Sequence, residues 1–434
     1  MSANRTLKEL YPDLNKNVKL VLLFSVLNSF GRGIWFGNVL SAYIYFLANE
    51  SNAKLGLVSS ASGLALTLVV FPAGYASDRY RRDRILWGAA AFGLIALIIA
   101  GFATDLIMIA IALVFWGITN GMARPALEAI FADSVETGAR SQIYAIKHFC
   151  QQAGMAIGPF LNIFLFYYLG DVWDLGILRT VIFVGLVISG LSFIPLLAMN
   201  DDSSIGDDSE ALIISDNGND DSHSISQSKI PYLLITANII VGMGAGMTVK
   251  FFPIFFLDVY DLSPVPVNAL LGFVFIFTGL SSVTAQKFSL RQGRAKMIFI
   301  VQASATLCLF TLAFYPPLII MVPIFLARGS LMNSAQPLSR SILMDHIPKS
   351  KRGRWNSIEA IAWGLFWNVS AVFGGYLIEA YSYRVCFLIT ASIYTIGTIP
   401  ILIIIPLVAR EKGAITERSI LQKHDASPSV VTGE

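Results

Sequence analysis

Ionisable side chains lie inside the most apolar stretches of this sequence. Of its 434 residues, 55% are hydrophobic and 14% are charged, whereas soluble proteins carry about 25% charged residues. Such a chain cannot cover a water-exposed surface, which predicts a polytopic membrane protein. A charge at the centre of a bilayer costs about 3 kcal/mol, so it normally faces protein or a water-filled path. The candidates for binding or proton transfer are therefore the charges that interrupt apolar stretches: Arg32, Arg124, Glu128, Lys147, Lys250, Arg328, Arg340, Glu359 and Glu379, with His148 beside Lys147.

Glu128, His148 and Glu359 are the side chains in these stretches that suit proton transfer. Glu128 follows Arg124 by four residues, so the two share a helix face and can pair. A carboxylate removed from water can hold and release a proton, and its alternative role is a structural ion pair. Histidine titrates near neutral pH and can couple protons, and a lone membrane histidine equally serves as a hydrogen bond between helices.

Twelve apolar stretches of about 20 residues predict twelve transmembrane helices. Lys and Arg residues between these stretches and at their ends divide 22 to three between the two sides of the membrane, which places both termini in the cytoplasm. The sequon Asn49-Glu50-Ser51 then lies outside as a candidate glycosylation site. The stretches cover residues 20–47, 54–76, 85–103, 106–131, 142–169, 177–199, 231–257, 266–285, 297–314, 317–341, 356–380 and 384–408.

The sequence divides into two halves that repeat each other. Adding 212 to a position relates Arg79 to Arg291, Pro125 to Pro337 and Arg140 to Arg352 without gaps. Such a repeat predicts two pseudo-symmetric bundles of six helices, with a pathway between them and a site near the midplane of the membrane. The predicted units are a cytoplasmic tail 1–19, an N-terminal bundle 20–199, a linker 200–230, a C-terminal bundle 231–408 and a cytoplasmic tail 409–434.

The linker 200–230 is rich in acidic residues and serines and contains a single basic residue, Lys229. Such a segment cannot bury a core, so we expect it to be disordered and cytoplasmic. Within it, Asp208-Ser-Glu-Ala-Leu212-Ile213 resembles the acidic dileucine signal that directs membrane proteins to endosomes and lysosomes. That interpretation adds sorting adaptors as partners, and the alternative is a solvated connection between the halves.

The loop between the second and third predicted helices resembles the corresponding loop of the major facilitator superfamily. The family pattern is Gly-x-x-x-Asp-Arg-x-Gly-Arg-Arg/Lys, and Gly74, Asp78, Arg79 and Arg82 match it, whereas Arg81 replaces a glycine. The resemblance covers residues 20–408. It implies an all-α fold of twelve transmembrane helices in two pseudo-symmetric six-helix bundles.

The resemblance also implies a gating latch on the cytoplasmic side, formed by Asp78, Arg79, Arg82 and Asp133. In the family, the acid of the loop meets the start of the eleventh helix, and the arginine at the position of Arg82 pairs with an acid at the end of the fourth helix, here Asp133. The alternative is that the arginines only fix the topology, which is the interpretation we favour for Arg81 and Arg84.

In this family the first, fifth, seventh and eleventh helices border a central cavity. Two cations on these helices, Arg32 and Lys250, with neighbouring aromatic rings, suit an anionic or amphiphilic organic solute. The alternatives are that Arg32 pairs with a nearby acid and that Lys250 extends outward to the membrane surface. The candidate cavity residues are Arg32, Trp35, Tyr43, Lys147, His148, Lys250, Phe252, Glu359 and Trp363.

A helix-packing motif on the fifth helix, Gly154-x-x-x-Gly158-Pro159, resembles the core of a motif found in proton-driven antiporters of this superfamily. Small residues let helices approach closely, and a proline removes a backbone donor. The family motif continues with two glycines where this chain has Asn162 and Ile163. The match is therefore partial.

The sequence contains no nucleotide-binding loop, no His/Cys cluster and no nucleophile–base constellation. We therefore expect no ATP-driven transport, no enzyme activity, no cofactor and no metal. The predicted function is secondary transport of a small amphiphilic or anionic organic solute by alternating access, and proton-coupled antiport is favoured. The alternatives are a proton-coupled symporter or facilitative uniporter of an organic anion or sugar, and a receptor or scaffold without transport.

The predicted partners are the solute, protons and the lipid bilayer, without nucleic acid, and we expect a monomer. The predicted location is the plasma membrane, or an endolysosomal or vacuolar membrane if the dileucine signal is used.

Overall fold

The structure is a computed structural model that describes residues 14–135, 140–204, 229–347 and 352–425. Side chains are described in these ranges except at residues 78, 140–142, 145, 290, 344–345, 352–363 and 409–425. The described residues form helices joined by short turns and contain no β-strand. The expectation of an all-α fold is confirmed.

The described residues of the first half form eight α-helices, of which α1 and α2 together form the first membrane span and α7 and α8 the sixth. Their bounds are α1 Lys16–Trp35, α2 Asn38–Leu47, α3 Asn52–Arg79, α4 Arg82–Phe102, α5 Leu106–Asp133, α6 Arg140–Leu169, α7 Leu175–Leu191 and α8 Phe193–Leu197.

In the second half, the part of the chain that the structure describes forms seven α-helices, of which α9 and α10 together form the seventh span. Their bounds are α9 Ile230–Thr248, α10 Phe252–Tyr260, α11 Pro264–Gln292, α12 Arg294–Leu312, α13 Leu318–Asp345, α14 Arg352–Ala380 and α15 Tyr383–Asp425.

Eleven of the helical stretches within the described ranges are long and apolar enough to cross a membrane. The remaining predicted span corresponds to α14, a helix of 29 residues whose first side chains are not described. Large apolar side chains such as Leu68 and Ile319 are exposed on the outer surface of the molecule. A protein surrounded by lipid needs no polar cover there, so this surface fits a membrane protein.

The first and seventh spans are both interrupted, at positions that the 212-residue repeat relates. The first span breaks at Gly37, whose ψ of −113° is not helical, and the seventh becomes a 3₁₀ turn at Val249–Phe251. Pro253 follows that turn and lacks the N–H that a continuous α-helix requires. The breaks leave the C-terminal ends of α1 and α9 inside the spans, where helix dipoles favour cations.

The glycine motif of α6 packs against the first span. A Cβ atom on Gly158 would lie 2.2 Å from the carbonyl carbon of Gly33, and one on Gly154 would lie 2.9 Å from Cβ of Ser29. Pro159 follows within the same helix and is buried. Close approach of this kind is how helices associate in lipid, where no hydrophobic force drives them together.

The beginning of the acidic linker is ordered, contrary to the sequence prediction. Asp201–Ser203 forms a 3₁₀ turn, and Ser203 accepts a hydrogen bond from the Asn15 side chain at 2.8 Å. The Arg82 backbone N–H also donates to the Asp201 carboxylate at 3.0 Å. Nearby donors therefore hold residues that composition alone assigns to a flexible segment, and residues 205–228 lie outside the described part of the chain.

Candidate solute pathway between the halves

Many of the hydrogen bonds between the two halves lie near one end of the molecule, which we call the closed end. The connecting segments at this end include residues 48–51, 170–174, 261–263 and 381–382. There the Asp258 carboxylate accepts from the Tyr45 hydroxyl at 3.1 Å and from the Tyr383 hydroxyl at 2.8 Å. At the opposite end, by contrast, the ion pairs around Arg81 join residues of the first half to one another. In the predicted topology, the closed end faces away from the cytoplasm.

Three buried asparagines join the halves beneath the closed end. The Asn38 amide donates to Oδ1 of Asn268 at 2.5 Å, and the Asn162 amide donates to the same oxygen at 3.1 Å. Asn162 also donates to the Ile34 carbonyl at 3.0 Å, beside the break in the first span. Sequence reasoning missed this cluster, although Asn162 and Asn38 lie in predicted spans.

Lys250 bridges the halves from the break in the seventh span. Its Nζ donates to the Ser59 carbonyl and to Oδ1 of Asn368, both at 3.0 Å. Ser60 in turn donates its hydroxyl to the Asn368 carbonyl at 2.8 Å. Lys250 therefore points between the halves, and the alternative that it extends outward to the membrane surface is wrong for this conformation.

Two arginines of the first half, Arg32 and Arg124, lie close enough to interact electrostatically, and Arg124 is also attracted by the Glu128 carboxylate. The guanidinium of Arg32 lies over the Phe36 ring, 5.1 Å from its centroid, and its buried Nε has no hydrogen-bond partner. Arg124 repels Arg32 electrostatically. No described carboxylate forms an ion pair within 4.0 Å of either guanidinium. An anion that entered between them would relieve this repulsion.

Lys147 and Glu128 form an ion pair in the first half, with Nζ 2.5 Å from Oε1. The Lys147 side chain is 8% exposed and that of Glu128 is 55% exposed. Nζ also lies 4.7 Å from the centroid of the Phe131 ring. Glu128 thus pairs with the neighbouring span rather than with Arg124 on its own helix, which corrects the pairing that the sequence spacing suggested.

His148 and Arg340 are both exposed, whereas Arg328 is buried inside the second half. Arg328 donates to the Tyr394 hydroxyl at 3.0 Å and lies over the Phe252 ring at 4.8 Å. The repeat relates Arg328 to Trp116, which packs at 5.4 Å on Trp35. An arginine and a tryptophan therefore take equivalent places in the two halves.

Three aromatic side chains predicted to line the cavity lie instead inside their own bundles. Trp35 is 2% exposed and donates its indole N–H to Ser189 at 3.0 Å. Tyr43 is 3% exposed and donates to the Ala103 carbonyl at 2.9 Å. Phe252 stacks in an aromatic cluster that includes Phe325. In this conformation these three side chains pack within their own bundles, and their place in the cavity stays a prediction. Lipid-embedded helices are apolar on every face, so the sequence pattern does not show which face is inward.

At the opposite end, Arg82 lies 2.5 Å from the Asp133 carboxylate and joins the start of α4 to the end of α5. Arg79 lies over the Tyr75 ring, 4.2 Å from its centroid. The Asp78 side chain lies outside the described part of the structure, as do those of Glu359 and Trp363.

Arg81 is not limited to fixing the topology. It pairs with Asp83 and with Asp202, each at 2.7 Å. Its hydrogen bonds, first with Asp83 and then with Asp202, raise the pKa of the Arg81 guanidinium. The loop is thereby tied to the start of the linker.

The remaining predicted sites concern modification and sorting. Asn49 lies in an exposed turn at the closed end, with a φ of 55°. Asp208, Leu212 and Ile213 lie outside the described residues. No group of three or more His, Cys, Asp or Glu side chains within the described ranges is arranged to hold a metal ion.

Comparisons with known proteins give a consistent result. A family model described as Major Facilitator Superfamily matches residues 21–334 and 234–424. One curated relative is YqjV of Bacillus subtilis (strain 168), described as an uncharacterized MFS-type transporter, and it is 27% identical over 127 residues. That alignment covers 29% of this chain and 30% of the relative, so it spans less than a third of the relative's length.

Solved transporter structures resemble the chain over most of its length. A mutant of the nucleoside transporter NupG has a TM-score of 0.69 at 13% identity, and the match covers 90% of this chain and 100% of NupG. A D-xylose-proton symporter has a TM-score of 0.69 at 16% identity, with coverages of 89% and 96%. A bacterial homologue of the iron transporter ferroportin, in the inward-facing state, has a TM-score of 0.69 at 13% identity, with coverages of 92% and 99%. At such identities the likeness concerns the fold.

Proposed function

This chain belongs to the major facilitator superfamily, and we propose that it carries a small anionic or amphiphilic organic solute across a membrane, coupled to protons. The observation that carries the proposal is a pair of cations on the first and seventh spans that lack an ion-pair partner. No described carboxylate lies within 4.0 Å of the Arg32 guanidinium, whose buried Nε has no hydrogen-bond partner, and Lys250 is held between the halves by uncharged oxygens. Arg124 adds a third cation near Arg32. Cations kept in a desolvated place at a cost to stability are functional candidates.

Alternating access gives Lys250 two roles in turn. In this conformation its ammonium group bridges Ser59 and Asn368 across the halves. When the halves separate at the closed end, both hydrogen bonds break, and the ammonium group becomes available to an anionic solute. The anionic solute then takes the place of the Ser59 and Asn368 oxygens as the partner of the Lys250 ammonium group. Lys250 therefore has a partner both in the closed state and in the open state.

The Lys147–Glu128 ion pair supports coupling to protons. The negatively charged carboxylate of Glu128 forms the ion pair with Lys147, whereas a protonated Glu128 leaves the Lys147 ammonium group free to bind another anion. An anionic solute that binds Lys147 therefore binds best when Glu128 carries a proton, and the two are transported together. This geometry favours symport of a proton and an anion, which was an alternative in the sequence analysis.

Antiport remains a second candidate because of the glycine motif on α6. Antiport requires the solute and the proton to exclude one another. A cationic amphiphile that competes with the proton for the half-exposed Glu128 carboxylate would meet that requirement. The two candidates therefore differ in the charge of the solute.

A transport screen in proteoliposomes tests the proposal. A pool of organic anions, organic cations and sugars is offered, and accumulated solutes are identified by mass spectrometry. We expect an organic anion to accumulate and its flux to fall at least tenfold in Arg32→Ala and Arg124→Ala, because each removes a cation from the pathway. Arg84→Ala, at an exposed arginine in the first turn of α4, is the matched control and should transport normally. Accumulation of sugars alone, or equal flux in all three variants, would contradict an anion site.

A further inference from the structure

Two carboxylates at the closed end each cap a helix that belongs to the other half. Asp171, after the fifth span, accepts the Ser263 hydroxyl at 2.6 Å and the Val265 backbone N–H at 2.8 Å. Glu379, at the end of the eleventh span, accepts the Ser51 hydroxyl at 2.6 Å and the Ala53 backbone N–H at 2.8 Å. The bonds are alike in type and length.

The two helix N-termini that these acids bind are equivalent under the internal repeat, whereas the acids themselves are not, because adding 212 to Asp171 gives Tyr383. Adding 212 to Ser51 and Ala53 gives Ser263 and Val265. Ser51 precedes α3 and Ser263 precedes α11, so both acids bind the N-terminus of the second helix of a bundle. Each bundle therefore supplies one acid and receives one, and the pair is reciprocal.

A helix N-terminus needs such a partner because its first N–H groups have no acceptor within the helix and carry positive partial charge. Four of the described helices find such an acceptor close by in sequence, among them α3, where the Ser51 hydroxyl accepts from the Lys54 backbone N–H at 3.3 Å. Asp105 caps α5 through Ile107 and Met108, and Asp174 caps α7 through Gly176 and Ile177, so these two acids act inside the first half. Ser263 makes no side-chain capping bond to α11. The acid that serves α11 comes from the opposite bundle.

The backbones of the two halves also meet beside one of these caps. A Cβ atom on Gly375 would lie 2.4 Å from the Asn52 carbonyl oxygen, and one on Gly56 would lie 2.5 Å from the Ala371 carbonyl oxygen. The start of α3 and the last turns of α14 are thus in direct contact. Movement of the bundles apart at this end must withdraw Glu379 from α3, and it must also withdraw Asp171 of the first half from the start of α11 in the second.

We propose that Asp171 and Glu379 are gating residues, which act as a reciprocal pair of helix caps and hold the closed end shut. Opening of this end removes both caps together, whereas the caps by Asp105 and Asp174 persist in every conformation. The two acids therefore favour the closed state in the conformational equilibrium. This inference rests on the alternating access of the proposed function but not on the identity of the solute.

The expected effect follows from the strength of a helix cap. Loss of one N-cap acceptor shifts an equilibrium by about fivefold, and loss of two independent caps by about 25-fold. Asp171→Ala with Glu379→Ala should therefore raise the ratio of open to closed molecules at this end by about 25-fold. Asp174→Ala with Asp105→Ala removes two caps of the same chemistry at the same end and should leave the ratio unchanged.

Pulsed electron–electron resonance measures this ratio directly. Spin labels at Thr104→Cys and Phe314→Cys, both exposed positions on turns of different halves, report the distance across the closed end. Cys150 and Cys308 are first replaced by alanine, and Cys386 is buried. The full-length protein is studied in lipid nanodiscs without solute.

Three results have different meanings. A shift to the longer distance in the Asp171/Glu379 variant, absent from the Asp174/Asp105 variant, supports the proposal. If two distances are seen and the ratio of their populations changes equally in both variants, or in neither, the proposal of reciprocal caps is overturned. Alternating access itself would still stand in that case. A single distance in every variant overturns alternating access itself and the reciprocal caps with it.

Milder variants protect the test against loss of folding. Asp171→Asn with Glu379→Gln keeps one oxygen acceptor at each site and removes the charge. This pair should shift the distance ratio in the same direction as the alanine pair but by less. A shift in the opposite direction would contradict the role of the carboxylates.

Discussion

Substitution of Glu128 by glutamine tests the coupling between proton and solute. The change keeps the shape of the side chain and removes the negative charge that pairs with Lys147 at 2.5 Å. Lys147 remains in place because its ammonium group also lies 4.7 Å from the centroid of the Phe131 ring. The variant therefore imitates protonated Glu128 at every pH, and Lys147 stays available to an anion.

The magnitude follows from the exposure of the two partners. Exposed ion pairs couple by up to about 1 kcal/mol, and breaking a buried pair costs about 3–5 kcal/mol. Lys147 is 8% exposed and Glu128 is 55% exposed, so a value of about 1.5 kcal/mol is appropriate. An anion that must displace Glu128 from Lys147 should then bind about tenfold more tightly to Glu128→Gln at neutral pH.

The assay is binding of the transported anion to purified protein by calorimetry between pH 5 and pH 8. We expect the anion to bind more tightly to Glu128→Gln than to the unaltered protein, because the glutamine does not compete for Lys147. Any pH dependence of binding that Glu128 causes in the unaltered protein should be absent from the variant. Asp261→Asn, at an exposed acid whose φ of 52° asparagine tolerates, is the matched control.

Two outcomes would refute this reasoning. Weaker binding in Glu128→Gln would mean that the carboxylate itself contacts the solute, as expected for a cationic one. Unchanged pH dependence would mean that the coupled proton resides on another group. Lys147→Met should lose affinity whether or not Glu128 is also changed, which separates a role in binding from a role in pairing.

Two further predictions concern packing and the opposite end. Gly158→Ala should destabilise the protein by about 3 kcal/mol, because the added methyl group meets the Gly33 backbone. Gly279→Ala, whose Cβ would meet nothing within 4 Å, should stabilise the protein by up to about 1 kcal/mol. Thermal unfolding in detergent measures both changes, and equal shifts in the two variants would contradict the close packing at Gly158. Arg82→Asp should slow the initial rate of transport several-fold. Combination with Asp133→Arg should restore that rate if the 2.5 Å ion pair acts in the transport cycle. A double variant as slow as Arg82→Asp alone would mean that Arg82 only fixes the topology of the chain.

The repeat made much of the architecture predictable. Residues 212 apart share their environment closely enough that the breaks at Gly37 and Val249, and the serines Ser51 and Ser263, occupy equivalent places. The break in the seventh span also has a local cause in Pro253. Local chemistry and internal symmetry are both visible in a sequence, so these features can be inferred from it.

The pathway itself was less predictable. Sequence spacing suggested that Glu128 pairs with Arg124 one turn away, but the orientation of α5 brings it to Lys147 on the next span. The pairing of Asn38 with Asn268 joins residues 230 positions apart, and neutral amides are too common to indicate such a contact. The sequence also does not show which face of a helix points inward, because every face of a helix in lipid can be apolar. For this reason Trp35 was predicted to line the cavity.

The most direct test of the account is solute flux in proteoliposomes under a pH gradient of either sign. We predict that an organic anion moves in the same direction as the protons and that its flux reverses when the gradient is reversed. Flux of an anion against the direction of the protons, or flux that does not respond to the gradient, would contradict the coupling assigned to Glu128 and Lys147.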